Sequence, residues 1–158
     1  MHPSIKTIWD TFVAHQSQTV STANDVPEAW YFCDNEADAN ECAELVLAGV
    51  KRATATSLWS LEGAGEPLPK VGDLNVVTDW SGYAICVIRT TKVEILPFNK
   101  ITELHASIEG EGDGSLEWWR KVHWDYYHRE LEGSGHEPKP DMPIIFQEFE
   151  RVFPADAA

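Results

Sequence analysis

The stretch from Leu74 to Ile95, LNVVTDWSGYAICVIRTTKVEI, decides the fold. β-Branched and apolar residues fill LNVVT (74–78), YAICVIR (83–89) and TKVEI (91–95), a composition that suits pleated, half-buried strands. Ser81-Gly82 reads as a hairpin turn between the first two, because glycine supplies the positive φ that tight connections need. Short strands in close succession predict a small sheet or barrel. Upstream, VGD (71–73) is a turn, GAGEPLP (63–69) a loop, and ATATSLW (53–59), rich in Thr and small residues, a further strand. Downstream, IIFQEFERV (144–152) alternates apolar and polar residues over its second half and predicts a closing strand, with the terminal PADAA frayed.

Helices frame these strands. Ile5, Ile8, Trp9, Phe12 and Val13 recur at three- and four-residue spacing and predict a helix over Ser4–Gln16. The aromatic segment PEAWYF (27–32) leads to Asp34-Asn35, which caps a helix over Glu36–Ala48, and Gly49 sits where a helix C-terminal glycine belongs. ITELHASIEG (101–110) is helical, and Ser115 caps a helix over Leu116–Glu130. GSGHEPKPDMP (133–143) is a loop by its Gly and Pro content. The class is α+β, and 158 residues make one domain, 1–158, without repeat or linker.

Charge narrows the partners. Asp and Glu number 26 against 12 Lys and Arg, a net charge of -14, and a field of that sign repels polyphosphate unless the cations gather in one cleft. Binding to duplex DNA is not expected. No apolar run approaches the roughly 20 residues of a membrane span, and the N-terminus carries no signal-peptide core, so the chain reads as cytoplasmic with no membrane partner. Cys33, Cys42 and Cys86 are odd in number and lack CxxC spacing, which predicts small, buried, reduced residues and neither a disulfide framework nor a zinc knuckle. The six histidines show no metal-ligand spacing, and His123 and His128, five apart, fall on different faces of an ideal helix. No metal or other cofactor is implied.

Three features could carry chemistry. In Gly49-Val50-Lys51-Arg52-Ala53-Thr54 an amine lies near a hydroxyl, and a Thr becomes a nucleophile only when a neighbouring base takes its proton. An extended chain would put Lys51 and Thr54 on opposite faces, so a twist or bulge is required, and the bland alternative has Lys51 neutralising a helix end and Thr54 filling a strand. Glu109-Gly110-Glu111-Gly112-Asp113 interleaves three carboxylates with glycines, either to face a substrate or Mg²⁺ or as a solvated turn before a helix. The aromatics, Phe32 and Trp80 among them, are mostly core, although some could stack on a nucleobase.

Phe32-Cys33-Asp34, the run GVKRATATSL (49–58), VGD (71–73) and PFNKITELHASIEGEGDGSLEWWRKVH (97–123), in this order, resemble the ASCH-domain family, related in fold to PUA domains. The resemblance runs from about 30 to 153, leaving 1–29 as an N-terminal helix and lead-in. It implies a small mixed β-barrel flanked by helices, with a cleft between barrel and helices. It also implies single-stranded RNA binding or cleavage, or, as in short relatives, hydrolysis of the N4-acyl amide of acetylated cytidine. The amidohydrolase set of Lys, Thr and Glu falls on Lys51, Thr54 and Glu109, with His105-Ala106 as the anchor. This chain has Cys33 where the family often has glycine, and Thr56 where the short amidohydrolases carry Arg.

The resulting expectation is a cytidine N4-amidohydrolase acting on a small nucleoside. Thr54 attacks while Lys51 and Glu109 move protons, or Glu109 activates water while Lys51 polarises the carbonyl. Phe32, Asp34, Arg52, Trp80 and Glu111 are candidate substrate contacts. The alternatives are a single-stranded RNA binder or ribonuclease, with Lys51, Arg52, Arg120, Lys121 and Arg129 along the cleft and Mg²⁺ at Glu109, Glu111 and Asp113, and a non-catalytic reader of a modified base. The acidic balance ranks a neutral nucleoside above long RNA.

Overall fold

A computed structural model describes residues 1–16 and 25–155. The elements are α1 (Pro3–Ala14), β1 (Ala29–Trp30), α2 (Glu36–Leu47), β2 (Ala53–Ser57), α3 (Leu58–Gly63), β3 (Leu74–Thr78), β4 (Ala84–Pro97), α4 (Glu103–Glu109), α5 (Leu116–Glu130) and β5 (Pro143–Phe153). The strands form one mixed sheet in the order β1-β3-β4-β5-β2, with β1 parallel to β3 and the other pairs antiparallel. This is the expected α+β class, a mixed sheet flanked by helices.

Successive residues of β3 explain how helices come to cover both faces. Val76 packs with Ile5, Trp9 and Phe12 of α1, whereas Val77 packs with Cys42, Ala43 and Val46 of α2. Alternate strand residues face opposite ways, so α1 and α2 cover opposite sides of β3 and β4. A third cluster joins Trp119 and Tyr127 of α5, and Leu131 at its end, to Ala53 and Ala55 of β2 and Ile144 and Phe146 of β5. Tyr127 Oη donates to the Ala55 carbonyl at 2.9 Å, which fixes α5 against β2.

Two elements differ from the sequence reading. The segments read as strands at 83–89 and 91–95 are one strand, β4, bent by irregularities in its pairing with β5 at Val87/Ile88 and Thr90/Lys92. Strand β2 stops at Ser57, and Leu58 to Gly63 turn into α3, which buries none of its residues and so shows no apolar period. Cys33 is half-buried, not buried like Cys42 and Cys86. The fraying expected of PADAA lies, for 156–158, outside the described residues.

Candidate active site

Helix α2 ends by the means its sequence announces. Ala48 is the cap, Gly49 follows at φ +77°, and the N–H groups of Val50 and Lys51 donate back to the Leu45 carbonyl at 2.9 and 3.1 Å. The β2–β5 ladder begins only at Ala53, so strand alternation does not extend back to Lys51. That removes the objection that Lys51 and Thr54 must face apart, and both line one cavity of about 430 Å³. The Lys51 side chain is 2% exposed, with Nζ 2.7 Å from the Ala53 carbonyl, 3.6 Å from Glu109 Oε2, 3.5 Å from Glu111 Oε2 and 5.0 Å from the centre of the Phe32 ring.

The interleaved glycines bring the carboxylates there. Glu109 ends α4, and Gly110 turns the chain at φ +68°, where a Cβ would stand 2.3 Å from the Val50 carbonyl oxygen. A Cβ on Gly112, at φ +58°, would meet the Trp118 ring at 2.2 Å. Only glycine permits both approaches. The start of α4 is held by His105, whose Nδ1 accepts from the Thr102 N–H at 2.9 Å and whose Nε2 then donates to Glu94 Oε1 on β4 at 2.7 Å. The solvated-turn reading therefore holds for Asp113 alone, which is exposed and accepts from the Ser115 N–H. Glu109 and Glu111 are 1% and 14% exposed.

His123 completes the cluster. Its Nδ1 lies 2.9 Å from the Trp119 carbonyl and so carries a proton, and its Nε2 lies 3.3 Å from Glu109 Oε2. The ring stacks on Trp119 at 4.1 Å between centres. Burial pushes Glu109 upward, but the charges of His123 and then Lys51 outweigh it and hold the carboxyl below its ordinary range. Burial likewise opposes charge on Lys51 and His123, yet the carboxylates win and raise both. Glu111 is raised, by burial first and by the like charge of Glu109, against the pull of Lys51. Two carboxylates two residues apart are thus driven in opposite directions.

Of the residues expected at the site, Lys51, Thr54, Glu109, Phe32, Asp34 and Glu111 line the cavity. Arg52 and Trp80 do not. Arg52 is exposed where the chain enters the sheet, its N–H donating to Ile108 and its carbonyl accepting from Phe149. The Trp80 ring packs instead on Tyr31, 4.8 Å between centres. The cations of the RNA reading are dispersed: Arg129 lines the cavity, paired with Asp34 at 2.8 Å, whereas Arg120 and Lys121 line a second groove with Phe98 and Trp124. The Mg²⁺ triple does not form with Asp113. Among the described residues the donor sets that converge are Glu109, Glu111 and His123, and Cys33, Cys42 and Glu111. The expected site residues omit His123 and Cys33, which line the cavity; the signs of them in the sequence are the motifs Phe32-Cys33-Asp34 and 97–123, which ends on His123, and for His123 also the buried 119-123-127 stripe of α5.

A family model for the ASCH domain matches residues 28–153. The crystal structure of an ASCH domain from Lactobacillus crispatus JV V101 is similar with a TM-score of 0.86 and 35% identity, covering 96% of each chain. Protein EF3133 from Enterococcus faecalis V583 gives 0.85 and 32%, covering 96% of this chain and 90% of its own. The hypothetical protein PH0355, at 0.52 and 19% identity over 78% of this chain, shares the fold. No curated protein matches the chain. No helix among the described residues is long and apolar enough to cross a membrane.

Proposed function

Since the chain belongs to the ASCH-domain family, we propose that it is an amidohydrolase that cleaves the N4-acyl amide of acylated cytidine nucleosides. The observation that carries this reading is the buried Lys51 ammonium, flanked by Glu109 and Glu111, in the wall of a cavity that Thr54 also lines. The charge around the cavity sets the substrate class. Its lining holds eight carboxylates (Glu28, Asp34, Asp38, Glu66, Asp73, Glu109, Glu111 and Glu130) against Lys51, His123 and Arg129, and Arg129 is engaged by Asp34. A phosphate entering there meets net repulsion, and a neutral nucleoside does not.

The electrostatics favour one division of labour. Lys51 rests protonated, so it polarises the acyl carbonyl and stabilises the oxyanion in place of accepting a proton. Glu109, clamped between two cations, is a poor base. Glu111, with its proton affinity raised, is the better carrier. Thr54 Oγ attacks the acyl carbon, its proton passes through Glu111 to N4, and the C–N bond breaks to release cytidine. Water then cleaves the Thr54 ester, restoring the hydroxyl and releasing the carboxylic acid.

The test is incubation of the wild type, Thr54→Ala and Glu111→Gln with N4-acetylcytidine in EDTA, following cytidine by chromatography. The wild type releases cytidine, Thr54→Ala loses it by about a thousandfold or more, and the acid limb of the wild-type pH profile lies above 4.5, the ordinary value for a glutamate. That limb disappears in Glu111→Gln. No release by the wild type, or near-native turnover by Thr54→Ala, overturns the assignment.

A further inference from the structure

Cys33 occupies a backbone conformation that suits glycine. It is the one non-glycine residue among those described with positive φ, at +68°, a conformation that strains a residue with a Cβ. The conformation brings Cys33 Sγ to 3.6 Å from Cys42 Sγ on α2, and Cys42 Sγ donates to Glu111 Oε1 at 2.7 Å. Three donors from three separate segments, the loop after β1, helix α2 and the loop after α4, converge within 4.8 Å of one another. The spacing of 33 and 42 resembles no metal motif, and only the fold joins them.

We propose that Cys33, Cys42 and Glu111 form a three-ligand site for a thiophilic divalent cation of the zinc class, with the fourth position open to the cavity. Two thiolate bonds of 2.3 Å at a tetrahedral angle put the sulfurs about 3.8 Å apart, close to the 3.6 Å they have already. The oxygens of Glu111 divide without conflict: Oε1 faces Cys42, and Oε2 faces Lys51. Cys42 is 3% exposed, whereas Cys33 and Glu111 line the cavity, so the unfilled position points to the cavity side. Sulfur selects against Mg²⁺ and Ca²⁺, which prefer oxygen ligands.

Cys42 holds a proton, which it donates to Glu111. Binding as two thiolates releases one proton from each thiol to solvent, and the cation's two charges replace the two protons, so the net charge of the cluster does not change. A monovalent ion, or a divalent ion bound without thiolates, would change that charge in a site of low dielectric. The site shares Glu111 with the amide-hydrolysis reading, so occupancy inhibits that reaction. This last consequence rests on that reading, but the binding itself does not.

The test is titration of the full chain, reduced and stripped with chelator, with Co²⁺ in the absence of nucleoside. One equivalent is expected to produce thiolate-to-cobalt charge-transfer absorption, and Zn²⁺ to displace it. Cys33→Gly, where glycine is at ease at positive φ, and Cys42→Ser each weaken binding by about tenfold or more and reduce the charge-transfer intensity. Cys86→Ser, altering a thiol buried in β4 outside the set, leaves both unchanged. Cys33→Gly keeps the test decisive if Cys42→Ser fails to fold. Absence of charge transfer in the reduced wild type, its survival undiminished in Cys33→Gly, or a persistent Cys33–Cys42 disulfide in its place overturns the proposal. Failure of cobalt binding leaves cytidine release untouched, and failure of cytidine release leaves the cobalt spectrum untouched.

Discussion

Helix α5 borders two concave surfaces whose charges behave differently. On one side His123, Tyr126 and Arg129 face the cavity with Lys51, Glu109 and Glu111, and on the other Arg120, Lys121 and Trp124 line the second groove. In the groove Lys121 and Asp125 stand 3.1 Å apart, closer than the 3.6 Å between Lys51 and Glu109 in the depth of the cavity. Distance nevertheless ranks them in the wrong order. Lys121 and Asp125 are 78% and 51% exposed, so water screens them, while Lys51 and Glu109 have almost no solvent to retreat to. The groove's pair is held in solvent, whereas Lys51, Glu109, Glu111 and His123 form a single interacting set with little water between them.

Breaking that set at its centre has the largest expected effect. Glu109→Gln leaves Lys51 and His123 buried with Glu111 as the one carboxylate beside them among the described residues, and removing one partner of a buried pair costs about 3–5 kcal/mol. The loss is read from chemical denaturation at pH 7. The pH dependence carries the signature. Glu109 is lowered when folded, so its contribution is present above the ordinary 4.5 and is lost as pH falls through its folded value. His123 is raised, so its contribution is complete below 6.5 and is lost as pH rises through its folded value. In Glu109→Gln the charge that most raises His123 is gone, burial prevails, and its NMR titration moves below 6.5. A loss under about 1 kcal/mol with the His123 titration unmoved would mean that the cavity's charges are as solvated as the groove's.

The glycines that carry the carboxylates inward give the next effect. Gly110→Ala adds a Cβ 2.3 Å from the Val50 oxygen at φ +68°, and is expected to cost about 2 kcal/mol or more. Gly114→Ala, at φ +75° with nothing within 4 Å, meets only the backbone cost of about 1 kcal/mol. Denaturation midpoints of the two variants separate close approach from conformational preference. Equal losses would mean that the contact with Val50 is not what holds Glu109 and Glu111 beside Lys51.

What was legible in the sequence follows the same division between local and non-local causes. Helices α2 and α5 were readable almost to the residue because Asn35 and Ser115 accept from the N–H groups of Asp38 and Trp118, and Gly49 marks an end, all within a few residues of chain. Helix α3 was not, since it buries nothing and carries no period. For Lys51 and Thr54, strand parity argued against a shared surface and the motif resemblance argued for one; the ladder's start at Ala53 resolves them in favour of the motif. His123 was hidden because it continues an aromatic stripe of α5 while its partner Glu109 lies on another helix. Arg52 and Trp80 were over-read, since charge or aromaticity near a motif does not say which way a side chain leaves the backbone. Cys33 and Cys42 meet only through a loop held at positive φ.

The smallest expected effect sharpens the comparison from the other side. Lys121→Ala removes the exposed i,i+4 pair with Asp125, and such pairs contribute about 0.3–0.5 kcal/mol. Stability should change by no more than that, and the change should vanish at high salt, because a Debye length of about 3 Å at 1 M leaves little of an exposed pair. Cytidine release from N4-acetylcytidine should be unaltered, because Lys121 does not line the cavity. A rate that falls with Lys121→Ala while stability holds would join the groove to the reacting surface. It would also return the dispersed cations Arg120 and Lys121 to the service of a longer, charged substrate.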